Sequence, residues 1–114
     1  MDLDQLATAI AQTSNGPAAM QLSALLSDWK TDGTNVKELE GTVERFISSL
    51  GASPAVEHAK AADLWTQFRD ETISRIGGMT MNERLYSFSL FPRWDGATTD
   101  EERKAIYAKL LANP

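Results

Sequence analysis

No cysteine occurs among the 114 residues, which removes disulfides, zinc–thiolate sites, iron–sulfur clusters and thiol nucleophiles together. A single histidine, His58, rules out every multi-histidine metal site and leaves one imidazole for any acid–base chemistry. Basic residues are scarce as well. Lys and Arg number 11 against 16 Asp and Glu, a formal charge of −5. Residues 1–35 carry −3 of that excess, 36–76 carry −2, and 77–114 are balanced. Nucleic acids and anionic membranes are bound by clustered Lys and Arg, and no window supplies a cluster. Arg84, Arg93, Arg103, Lys104 and Lys109 are the basic residues of the last third that could line up, but acids are interleaved with them and oppose it.

Long hydrophobic runs are missing too. None exceeds four residues, far short of a membrane span. The chain opens Met-Asp-Leu-Asp, the wrong sign for a secretory leader. The expectation is a cytoplasmic protein with no membrane segment. No stretch alternates apolar and polar residues long enough to read as a strand, and no repeat or low-complexity segment appears.

What is present is helical periodicity. Leu3, Leu6, Ala7 and Ile10 share one face of a first helix over about Asp2–Thr13. Asn15-Gly16-Pro17 ends it and starts a second, about Pro17–Lys30, with Ala18, Leu22, Leu25 and Trp29 as its stripe. After the Asp32-Gly33-Thr34 turn, Asn35 and Glu38 are spaced as a capping box, with Thr34 as an alternative cap. The third stripe is Val36, Leu39, Val43, Phe46, Ile47 and Leu50. Ser53-Pro54 restarts the chain into the longest helix, about Pro54–Ile76, roughly 34 Å at the standard rise. Ala61, Leu64, Trp65, Phe68, Thr72 and Ile76 face inward there. Gly77-Gly78 stops it. Thr80-Met81-Asn82-Glu83 is a second capping box, opening a short helix with Met81, Leu85 and Phe88 inward. A last helix is capped by Thr98 with Glu101 or by Thr99 with Glu102, with Arg103, Ile106, Tyr107, Leu110 and Leu111 inward. These elements predict one all-α domain over 1–114, a bundle of five to six helices. Residues 1–76 form a four-helix core with a long fourth helix, and two short helices in 77–114 close it.

Chemical motifs fail one by one. Asp28-x-Lys30-x-Asp32-Gly33 resembles a calcium loop only in part, because Lys30 and Leu39 occupy the third and twelfth positions, where oxygen ligands are required. No Glu-x-x-His pair exists for a di-metal bundle. Glu40 with Glu44, and Asp63 with Asp70, fall on predicted solvent faces. Gly77-Gly78 precedes a helix, but no strand leads into it and no Lys follows, so it reads as a helix stop and not a phosphate cradle. Gly-x-Ser-x-Gly is absent. His58 lies at the edge of its helix's apolar stripe and reads first as a partly buried structural residue. No metal and no cofactor is expected.

The segment Tyr86–Trp94 stands apart. In one continuous helix Leu85 and Phe88 fall near Met81, while Tyr86 and Leu90 fall on the opposite side. Part of the set is then exposed or enclosed on several sides. Tyr86, Phe91, Arg93 and Trp94 are the candidate protein-binding residues, since aromatics and Arg dominate interface energetics. The reading is a non-enzymatic interaction or assembly module that binds a protein partner or a second copy of itself, as a homodimer. The alternative is a small enzyme or ligand-binding bundle using His58 and cleft carboxylates.

Overall fold

The computed structural model describes residues 1–13, 16–50 and 56–113, the side chains of 56–58 excepted. Within them lie seven α-helices and no strand: α1 (Leu3–Thr13), α2 (Pro17–Trp29), α3 (Val36–Ser49), α4 (Val56–Glu71), α5 (Met81–Ser87), α6 (Phe91–Asp95) and α7 (Asp100–Lys109). A 3-10 stretch, Ile73–Gly78, follows α4. No helix among the described residues is long and apolar enough to cross a membrane.

Local chemistry sets the helix starts. Asp2 Oδ1 accepts from the Gln5 amide at 2.8 Å, and Gln5 Oε1 accepts from the Asp2 amide at 2.9 Å. Asn35 and Glu38 close the expected reciprocal box on α3, and Thr80 and Glu83 do the same on α5. For α7 the choice falls on Thr99, whose hydroxyl accepts from the Glu102 amide at 3.1 Å. The Ser53-Pro54 restart lies outside the described residues.

The predicted faces of α1 hold without change: Leu3, Leu6, Ala7 and Ile10 are all buried. On α2 the buried stripe is Ala19, Leu22, Leu26 and Trp29, rotated from the predicted one so that Ala18 and Leu25 turn partly outward. The reason is composition. Eight of the 13 residues of α2 are apolar, so periodicity permits more than one stripe and packing selects between them. Helix α1 lies antiparallel against α2: Ser23 Oγ donates to the Ala7 carbonyl at 2.8 Å, and Lys30 Nζ meets Asp4 Oδ1 at 2.6 Å.

The long fourth helix is shorter than predicted. It ends at Glu71, and Thr72 leads into the tighter 3-10 stretch. Residues three apart eclipse in a 3-10 helix, and Ile73 and Ile76 are both buried. An α-helix continued through this stretch would have set Ile73 about 100° from Thr72.

The C-terminal third resolves the geometric conflict around Tyr86–Trp94 by breaking the helix. Ser89 adopts φ 57°, the left-handed region. Its amide donates to the Tyr86 carbonyl at 3.1 Å, and the Leu90 amide to the Leu85 carbonyl at 2.9 Å. This pairing is a Schellman cap. It redirects the chain so that Leu85, Phe88 and Leu90 are all buried.

One core runs through the molecule. The Phe88 ring lies 5.7 Å from Trp29 and 5.8 Å, edge-on, from Phe68, and Phe68 lies 6.1 Å from Trp65. These four rings tie α2, α4 and α5 together. Residues 77–114 therefore share the core of the first four helices.

Candidate functional site

Because α2 carries apolar side chains on more than one face, burying one stripe leaves others over. Those left over line a groove of about 400 Å³ between α2 and α3. Its walls are Gln21, Ala24, Leu25 and Asp28 from α2, and Leu39 and Thr42 from α3. Trp29, Asp32 and Thr34 close one end. The size falls within the range of ordinary binding clefts. Met20, one turn before Ala24 on the same side of α2, is 53% exposed and extends the apolar surface.

The closed end is held by the C-terminal segment. Lys109 Nζ donates to the Thr34 carbonyl at 2.7 Å, the Asp32 carbonyl at 2.9 Å and Asp32 Oδ1 at 3.0 Å. It also sits 4.1 Å from the centre of the Trp29 ring. Arg93 Nη1 donates to the Lys30 carbonyl at 2.7 Å. Two cations thus cover carbonyls that the end of α2 and the following turn leave open. Burial pushes the Lys109 ammonium below its ordinary pKa, against the pull of Asp32. Burial also raises the Asp32 carboxyl, but the Thr34 hydroxyl and amide, with Lys109, hold it below the usual carboxylate value. Asp32 therefore stays charged near neutral pH.

The sequence-predicted candidates separate. Tyr86 is 61% exposed. Phe91 and Trp94 are half-buried against the core, and Trp94 meets Tyr107 edge-on at 5.4 Å with the Arg103 guanidinium 5.7 Å from its ring. Arg93 is partly committed to the Lys30 carbonyl. The basic row of the last third does not form one face, because Arg84 and Lys109 are buried. Arg84 donates to the Leu110 carbonyl at 3.0 Å, and its Nε–H meets no acceptor among the described residues.

Glu44 is not a free surface carboxylate either. Arg69 Nη1 reaches it at 2.6 Å and the Trp65 indole donates to it at 3.2 Å. The Arg69 bond, with help from Trp65, outweighs burial and lowers its pKa. Glu40 is half-exposed, while Asp63 and Asp70 are exposed. The side chain of His58 lies outside the described residues. Among the described residues no group of three or more His, Asp or Glu is placed to hold a metal ion.

Periodicity did not single out the groove. The signal was the surplus of apolar residues on α2, above all Met20, Ala24 and Leu25, beyond what one buried stripe requires. No family model matches this chain, and no curated protein or solved structure matches it.

Proposed function

We propose that the chain is a helical interaction module that docks a segment of another polypeptide in the groove between α2 and α3. The carrying observation is the groove itself: an open, largely apolar channel on a helix with a second unburied apolar face. The exposed Met20 and Ala24 and the half-buried Leu25 give it apolar side chains that a partner's own can cover. Methionine at its edge supplies an adaptable contact.

The chemistry of the groove supports binding over catalysis. Its titratable side chains are two carboxylates, Asp28 and Asp32. Acid–base work needs groups whose environments push their pKa values apart, one toward neutrality. Asp32 is held the other way, ionised by Thr34 and Lys109.

Site-specific photo-crosslinking in the encoding organism tests the reading, with the probe placed at Gln21 in the groove, at Tyr86, or at Lys104 as a control. A discrete adduct from Gln21 that disappears in Leu25→Arg is expected. An adduct at twice the chain mass identifies a second copy as the occupant. Adducts from Tyr86 alone would move docking to the C-terminal aromatic segment and overturn the groove assignment, as would no adduct at any position.

A further inference from the structure

Resting on the reading that the α2–α3 groove docks a polypeptide, we infer that its occupant is a basic amphipathic helix of about two turns. It sets aliphatic side chains over Ala24 and Leu25 and a cation against Asp28 and Asp32. The length follows from the walls, since Gln21 to Asp28 spans about two helical turns, or roughly 10 Å. The apolar contact follows from the exposed Ala24, the half-buried Leu25 and the exposed Met20 one turn before Ala24.

The sign of the partner's charge follows from three observations. Asp28 lies in the last turn of α2, where no basic residue is present. Arg93 and Lys109 cover the Lys30, Asp32 and Thr34 carbonyls at that end, and the Asp28 carboxylate keeps its negative charge beside them. Second, Asp28 is exposed and its carboxylate takes no hydrogen bond or ion pair among the described residues. Third, Asp32 receives the Thr34 amide at 2.8 Å, the Thr34 hydroxyl at 2.6 Å and Lys109 at 3.0 Å, all on Oδ1. Its Oδ2 is left as an open acceptor on a half-exposed side chain. Among the described residues no cation pairs with Asp28: Lys109, at the closed end, is engaged by Asp32 and the Thr34 carbonyl, and Lys30 is drawn to Asp4. Two carboxylates lining one groove suit cationic side chains, arginine above all.

The test titrates the full-length ¹⁵N-labelled chain with two acetylated, amidated peptides of about ten residues. Both carry the same leucines at helical spacing, one with arginines and one with glutamates at the polar positions. The arginine peptide is expected to move amides of residues 24–28, 32–34 and 39–42. It should bind roughly tenfold tighter than its glutamate twin at low salt, with the advantage shrinking toward about 0.5 M salt. Asp28→Lys, on an exposed site, should leave the far-UV circular dichroism unchanged and reverse the preference. Equal groove binding by both twins would overturn the basic partner and leave the docking groove standing. No groove shift from either peptide, with the Gln21 crosslink still forming, would likewise sink the charge inference alone. Loss of both signals would sink the inference and the docking reading together.

Discussion

Replacing Lys109 by methionine keeps the aliphatic stem and removes the buried ammonium, whose side chain is only 3% exposed. Two effects oppose each other. Burial has already pushed the ammonium pKa down, so relief of its desolvation favours the variant. Against this, the Thr34 and Asp32 carbonyls lose donors at 2.7 and 2.9 Å, at about 1 kcal/mol each. The contact with the Trp29 ring also goes. Asp32 itself returns to water, since its side chain is 47% exposed, so the side-chain pair contributes little. The donor term prevails, and the expected loss is about 2 kcal/mol. With an unfolding entropy of roughly 2.1 cal/mol/K per residue, that lowers Tm by about 8 °C. Urea and thermal unfolding followed by circular dichroism measure it, with Asp32→Asn as the companion expected to cost under about 1 kcal/mol. A loss below about 0.5 kcal/mol for Lys109→Met would refute the argument. So would an equal loss in Asp32→Asn, which would assign the stability to the ion pair instead of the carbonyls.

Other outcomes follow from the same contacts. Leu111 is held at φ 57° in the cap that ends α7, where the Ala112 amide reaches the Tyr107 carbonyl at 2.8 Å; Leu111→Gly should stabilise by about 0.5–1 kcal/mol, read as a higher Tm, and a lower Tm would contradict the strain. Phe88→Ala removes the ring between Trp29 and Phe68 and should cost about 3–5 kcal/mol in urea unfolding, with Phe88→Leu near one third of that. The carboxyls of Asp32, Glu44 and Glu83 all lie below their ordinary values in the folded chain. The unfolded chain therefore takes up protons first on acidification, so the urea midpoint should hold above about pH 5 and fall below about pH 4. For Lys109 the folded pKa is also lowered, so the unfolded chain holds the extra proton on the alkaline side. Its contribution should rise with pH toward the unfolded value near 10.5, visible as a wild-type midpoint that gains on Lys109→Met.

The helix starts were legible because caps are short-range chemistry: Asn35 with Glu38, and Thr80 with Glu83, lie three residues apart and close on themselves. The face of α1 was legible for a related reason, since Leu3, Leu6, Ala7 and Ile10 leave one apolar stripe and one way to bury it. The all-α class follows from many such segments with none alternating.

Other features required the folded chain. The stripe of α2 is degenerate by composition, and the folded chain buries Leu26 while Leu25 is left half-buried on the groove wall. Helix α4 ends at Glu71, ahead of the Gly77-Gly78 stop that the sequence marks. Lys109 reads in sequence as one more charge on a polar helix. Its role comes from carbonyls 75 and 77 positions away, beyond any local pattern. Sequence alone thus determined where α1, α2, α3, α5 and α7 begin and which class of fold they build, because those depend on neighbours within one turn, whereas α6, which has no side-chain cap, was not marked. Tertiary structure decided which apolar residues stayed outside and which cations went in, because both depend on competition among distant segments for one core.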